Sequence, residues 1–396
     1  MCTDLLIVSE TAEGRDLVVN ARSQEFDTEL GYRLMVRRKG AMVQVTQPRK
    51  GSGLANPILV DLCKSKYDYM GIIMTMPHEP WTPVSTSVFD GMNSAGLSVG
   101  SLNAPGSVYQ PKSDDPGTHN VFVGFLVDWL LSNYATCKEV QGAFDTDKVR
   151  FVADAEGYEG PDGIAFVEFH VHTHFAVHDA NGKSLVIEFV EGKAKVTENP
   201  VGVLTNLPVF SWHMTNLGLY AHLSPYSTHE PVEFGGLTYA PPGSLSPEPR
   251  SKPPGYRSTG IPGVGDGLAG IPGDFRPASR FVRTAYLKHF AVAPRTESEA
   301  VNQGFHLLNA VDIVKGAAAE KPDKPGAKPL YDTAQIIVVK DLINKKLYLR
   351  MYESPMPYVI AFDDIGKFAP GGGAGESQGV EIAIPIEPLA LPLEVR

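Results

Sequence analysis

Strand-like and helix-like segments in this chain come in blocks and do not alternate. Short apolar, β-branched runs at 5–9 and 17–20 flank a turn at Glu13-Gly14. Residues 34–47 read as a hairpin turning near Lys39-Gly40. A largely apolar strand covers 67–76, and 90–103 reads as a Gly/Asn turn followed by a strand. Helical periodicity then dominates 121–133 and 138–144. Strands resume at 165–179, 184–190 and 202–205, helices return at 278–290 and 297–311, and a hairpin around Asn344 joins 333–340 to 346–352. A parallel doubly wound sheet needs a helix after nearly every strand. Blocks of each type predict an α+β layered sandwich instead.

Two stretches interrupt this pattern. Residues 223–272 are rich in Pro, Gly and Ser and predict an irregular insertion. Residues 366–380 read as a flexible linker, which makes 366–396 a Gly/Pro-rich tail behind a single domain at 2–365. No internal repeat of fixed period is visible.

Bulk properties exclude several classes. The net charge of −10 leaves no basic footprint for nucleic acid or an anionic membrane. No apolar run is long enough to predict a membrane span. The start, Met1-Cys2-Thr3-Asp4, has neither a basic segment nor an apolar one, so no secretory signal is expected in it. The expected setting is the cytoplasm, or the periplasm if a leader has been trimmed. Three cysteines in 396 residues argue against a disulfide framework. Cys63 and Cys137 sit in apolar surroundings and read as small buried hydrophobes.

Cys2 is different. Cysteine is small enough for an aminopeptidase to remove Met1, and the product carries a thiol and a free α-amine on one residue. An α-amine titrates near pH 8, in the range of a useful general base. Nucleophile and base then share one residue. By itself a Met-Cys start carries little information.

Further segments sharpen the reading. Met1-Cys2-Thr3, Arg22-Ser23-Gln24-Glu25, Asp90-Gly91-Met92-Asn93 with Gly96-Leu97, and Ser101-Leu102-Asn103 occur in that order. Val203-Leu204-Thr205-Asn206, Phe210-Ser211-Trp212-His213 and Ile271-Pro272-Gly273-Asp274-Phe275 with Pro277-Ala278-Ser279-Arg280-Phe281 follow. From Cys2 to about Tyr352 the chain resembles the choloylglycine hydrolase family, which holds conjugated bile salt hydrolases and penicillin V acylases.

The resemblance implies an Ntn-hydrolase αββα sandwich, two antiparallel sheets between helical layers. It implies cleavage of a non-peptide amide through a thioester on Cys2, with no cofactor and no metal. It also implies a role for each further site residue. Arg22 sits beside the thiol and favours the thiolate. Glu25 stands where the family usually has Asp, which holds the α-amine. Asn206 offers its amide to the oxyanion, helped by a backbone N–H near Asn103, and Arg280 stabilises the developing charge. Singly, these residues also fit bland readings. Arg22 and Glu25 could be an ion pair, Asn103 and Asn206 turn residues, and Arg280 an ordinary first-turn arginine.

Asn103 matches the bile-salt branch, so hydrolysis of a conjugated bile salt is the first expectation. Penicillin V and acyl-homoserine lactones are alternatives, and a non-catalytic homologue that binds a hydrophobic acid is a second one, motivated by Glu25. The segment 216–264 resembles an assembly loop, which predicts a homo-oligomer, a dimer or a tetramer. His170, His172, His174 and His178 share one face of a strand at period 2, the spacing of a possible zinc site, although an ordinary sheet strand is the expected reading.

Overall fold

The computed structural model describes residues 1–44, 49–50, 58–59, 62–76, 79–83, 87–146, 148–153, 172–226, 232–234, 237–239, 267–322, 329–354, 356–364 and 380–383. Most of the expected insertion, residues 366–379 of the expected linker and His170 lie outside these residues. The strands that build the two large sheets are β1 (Cys2–Glu10), β2 (Asp16–Phe26), β3 (Gly31–Arg37), β4 (Tyr69–Met76), β5 (Asp90–Asn93), β6 (Ser98–Asn103) and β7 (Thr173–His178). They continue with β8 (Ser184–Val190), β9 (Lys193–Glu198), β10 (Val203–Leu204), β11 (Leu330–Asp341), β12 (Lys346–Met351) and β13 (Tyr358–Ala361). The helices are α1 (Leu126–Asn133), α2 (Cys137–Phe144), α3 (Phe210–Leu217), α4 (Pro277–Phe290) and α5 (Glu297–Asn309).

Among the described residues, one sheet runs β10-β1-β2-β11-β12-β13 with Ala318–Glu320 at the side of β11. The other runs β9-β8-β7-β6-β5-β4-β3 and ends on Val380–Ala383, with Glu79–Pro83 beside β4. Every pairing within these two sheets is antiparallel.

Alternation along the strands explains the layering. On β2, Val19 and Ala21 pack with Phe281, Ala300 and Leu308 of the helices. Val18 of the same strand packs with Leu34, Ile72 and Met92 of the opposite sheet. On the far side, Leu97, Val99, Phe175 and Val177 pack with Leu126, Leu130 and Val140 of α1 and α2. The order is therefore helices, sheet, sheet, helices. Gly304 lets α5 lie close to β2, since a Cβ there would stand 3.1 Å from the Ala21 Cβ.

The structure corrects several local expectations. Residues 90–103 are two paired strands, Asp90–Asn93 and Ser98–Asn103, joined through Gly96 at φ +90°. The helix expected from 121 starts at Leu126, because His119–Phe122 pairs in parallel with Val149–Val152 and a 3-10 turn, Val123–Phe125, follows. The hairpin expected at 34–47 is not formed among its described residues, 34–44; 45–47 lie outside them. Gly31–Arg37 pairs with Tyr69–Met76, and Met42–Gln44 pairs with Leu62–Lys64. Within the expected tail, Val380–Ala383 joins the edge of the second sheet beside β3. Cys137 is buried, whereas Cys63 is only half-buried.

Candidate active site

Three chain segments far apart in sequence meet at the first residue of β1. Strand pairing sets Cys2 opposite Gln24 and Asp4 opposite Arg22, so all four side chains face the inter-sheet layer. On its other side β1 pairs with β10 in the register Asp4↔Leu204 and Leu5↔Val203. Two more residues in that register bring Asn206 beside Cys2. The third segment is α4, which begins at Pro277, a residue suited to a first turn because its missing N–H is not needed there. Asp274 fixes that start by accepting from Arg276 N at 2.9 Å and Ser279 Oγ at 2.7 Å. Arg280 then points from the first turn at β1.

Arg280 is fully buried and is spent on this site. Its Nη1 donates to the Cys2 carbonyl at 2.6 Å and to Thr3 Oγ1 at 2.5 Å, and its Nη2 donates to Asn206 Oδ1 at 2.7 Å. Burial pulls this guanidinium below its usual range, against the opposing pull of Glu25 and Cys2. An arginine keeps its proton regardless.

Asn206 Oδ1 also accepts from the Cys2 backbone nitrogen at 2.9 Å. Both neighbours of that oxygen are donors, which settles the orientation of the amide. Asn206 Nδ2 spends one N–H on the Asn103 carbonyl at 2.7 Å, which leaves the other for a ligand. Asn103 ends β6 with its own side chain exposed.

Arg22 approaches Cys2 from the inner layer. Its Nη2 lies 3.5 Å from Cys2 Sγ and also donates to the Ser101 carbonyl. The guanidinium carbon stands 5.1 Å from the centre of the Phe89 ring, within cation–π range. Gly100 makes this path possible, because a Cβ there would stand 3.1 Å from Arg22 Cδ and 3.2 Å from Asp90 Oδ1. Burial works against the charge of Arg22, but Cys2, Asp90 and Asp4 outweigh it and hold the guanidinium above its usual range.

Glu25 reaches the site from the other face of the sheet. Alternation along β2 sets it there with Ala21 and Ser23, and beside it the pairing with β11 shifts register between Gln24 and Glu25. One carboxylate oxygen accepts from Ser23 Oγ at 2.5 Å, and Oε2 stands 3.8 Å from Arg280 Nη1. Oε2 accepts no hydrogen bond among the described residues. The contact to the Cys2 nitrogen expected of Glu25 is made by Asn206 Oδ1, while the Met1 amine donates to the Glu25 backbone carbonyl at 2.5 Å.

Cys2 and Arg22 open on a cavity of about 260 Å³ that Met1, Gln24, Met74, Phe89 and Asn103 also line.

Two histidines back the site that sequence reasoning did not assign to it. His213 Nε2 donates to the Asn206 carbonyl at 2.9 Å, and its ring stacks on Phe281 with centroids 4.5 Å apart. Burial holds His213 below the usual imidazole range, so the ring is neutral with its proton on Nε2. His174 Nε2 donates to the Thr205 carbonyl at 2.7 Å. His178 Nε2 is 2.6 Å from Asp4 Oδ1. Burial works against the Asp4 carboxylate, but His178, Lys340 and Asn20 hold it below its usual range. These histidines are thus tied to protein partners, and His172 is exposed. For His174 and His178 only the period-2 spacing was visible in the sequence, and His213 stood out only as part of the segment 210–213.

A model of linear amide C–N hydrolases, choloylglycine hydrolase family, matches residues 2–246 and 252–361. The chain belongs to the choloylglycine hydrolase family. The bile salt hydrolase/transferase of Clostridium perfringens is 33% identical over 235 residues, and the match covers 59% of this chain and 62% of that one. The bile salt hydrolase/transferase of Lactiplantibacillus plantarum is 30% identical over 306 residues, covering 75% of this chain and 76% of its own. In three dimensions the chain superposes on a mutant conjugated bile acid hydrolase from C. perfringens with a TM-score of 0.70. That match has 24% identity and covers 98% of both chains, so the two share the αββα layering.

Proposed function

We propose that this choloylglycine hydrolase family member is an N-terminal cysteine amidohydrolase that, once Met1 is removed, cleaves conjugated bile salts. The observation that carries the reading is the convergence on Cys2. Its sulfur lines the cavity 3.5 Å from Arg22, and its nitrogen is held by Asn206 at 2.9 Å.

The steps follow from that geometry. Removal of Met1 leaves an α-amine on Cys2, with Asn206 Oδ1 as its acceptor. The amine takes the thiol proton, and the thiolate forms beside Arg22. Sulfur attacks the substrate carbonyl, and the oxygen that becomes negative meets the free N–H of Asn206. The Asn103 N–H is the second donor of this reading, and the antiparallel ladder supports it. Ser101 N donates to Phe89 and Ala104 N to His172, so the Asn103 N–H falls on the Phe89 side beyond the end of β5. The Cys2 ammonium returns its proton to the departing amine, leaving a thioester. Water, deprotonated by the same amine, then releases the acid and restores the thiol.

The bile-salt assignment is supported by relatives named bile salt hydrolase at 30–33% identity over much of this chain. Assembly into a homo-oligomer belongs to the same reading and is checked by light scattering. The substrate test is a release assay with glycocholate, taurocholate, penicillin V and a long-chain acyl-homoserine lactone. Release of glycine or taurine supports the proposal. Turnover of penicillin V or the lactone alone moves the substrate class, and inertness toward all four, with Met1 absent, supports a non-catalytic binding protein.

A further inference from the structure

Gln24 is a polar residue of the cavity that the mechanism leaves unused. It is 6% exposed, lines the cavity and sits directly opposite Cys2 in the β1–β2 ladder. Directly opposed residues on one face of a sheet have Cβ atoms about 5 Å apart. The Gln24 amide therefore lies within a few atoms of the carbonyl that Cys2 would attack. Its Nε2 points at Met74 Sδ, 3.6 Å away. Sulfur is a weak acceptor and no donor in a thioether, so the N–H belongs on that side and Oε1 on the other. Oε1 is buried and accepts no hydrogen bond among the described residues. Met74 and Phe89, the apolar walls nearby, offer it no donor.

A buried acceptor of this kind costs free energy until a donor fills it. A site that presents one discriminates strongly against ligands unable to supply the donor. We infer that Gln24 is a specificity-determining residue, selecting substrates that bring a neutral N–H or O–H donor close to the scissile carbonyl. Two parts of a substrate could supply it: the N–H of the scissile amide itself, or a hydroxyl on the second or third carbon of the acyl chain. This inference rests on the amidohydrolase reading for its substrate, but its test does not require turnover.

The test uses four compounds with the same acyl length: an unsubstituted amide, its 3-hydroxyacyl counterpart, and the matching ester of each. Binding is measured by calorimetry to the full chain carrying Cys2→Ala, with Gln24 intact and with Gln24→Met added. Methionine keeps the length of the side chain and removes the acceptor. With Gln24 present, the donor-bearing member of one matched pair should bind roughly tenfold to a hundredfold more tightly, and the second substitution should abolish that ratio. Loss of the amide-over-ester preference assigns the donor to the scissile N–H. Loss of the hydroxyl preference assigns it to the acyl chain. If both ratios stay within about twofold on substitution, the inference is overturned. Turnover of the same compounds by the enzyme with Cys2 intact is scored separately. Binding selectivity without turnover would sink the amidohydrolase reading and leave the role of Gln24 standing. Turnover with unchanged selectivity in Gln24→Met would do the reverse.

Discussion

Asn206 Oδ1 accepts the backbone N–H of Cys2 at 2.9 Å, joining residues separated by 204 positions in the chain. The same oxygen accepts Arg280 Nη2, so the amide cannot rotate without breaking two bonds. Its Nδ2 is thereby fixed toward the Asn103 carbonyl at the end of β6, and the proposed mechanism gives its second N–H to the oxyanion. Asn206→Ala should lower kcat by about 100- to 1,000-fold, the loss seen when one oxyanion donor is removed. KM should change far less. Steady-state kinetics, with circular dichroism to confirm the fold, check this. A kcat within threefold of the unsubstituted enzyme would remove Asn206 from the reaction.

His213 controls the same residue from behind. His213→Phe keeps a flat ring against Phe281 and deletes the donor to the Asn206 carbonyl. A buried carbonyl left without its partner costs about 1–3 kcal/mol. Chemical denaturation should show that loss, and kcat should fall more than KM rises because the backbone that carries Asn206 is no longer anchored from behind. His213→Gln, which retains a donor, should recover part of both. Equal behaviour of the two variants would contradict the role.

Asp128 gives the fold a pH dependence of its own. It accepts from Tyr69 Oη at 2.7 Å and Val88 N at 2.8 Å in the layer beneath α1. Burial pushes its carboxyl up to about 6, against the opposing pull of Arg37 and these hydrogen bonds. Between about pH 4 and pH 6 the folded chain holds a proton that the unfolded chain has released. Stability is therefore lost as pH rises through this window, by up to about 3 kcal/mol from this group. Urea midpoints from pH 4 to pH 7 should show the slope in the unsubstituted protein and lose this component in Asp128→Asn. An identical slope in both would refute it.

How far the sequence could be read depended on the kind of interaction. Grouped strands and helices were visible because period 2 and period 3.6 are local properties, and they led correctly to a layered sandwich. Cys2, Arg22, Asn206 and Arg280 stood out by chemical type and order, and the structure brings them together. The parallel pairing of His119–Phe122 with Val149–Val152 was not legible, since an apolar run carries no label for its partner. The same limit hid the roles of the strand histidines. Their spacing put them on one face, but only the register between sheets gives His178 to Asp4 and His174 to Thr205. The meeting of Glu25 with Arg280 was hidden in the same way, since period 2 gives Glu25 its face of the sheet but not the helix residue that reaches it there.

The intact mass of the protein, quenched during turnover of a slow amide substrate, bears most directly on the chemistry. The account predicts a chain lacking Met1, carrying one acyl group that peptide mapping places on the Cys2 sulfur and that hydroxylamine removes. A chain that retains Met1 while turning substrate over, or an acyl group on any other residue, would contradict it.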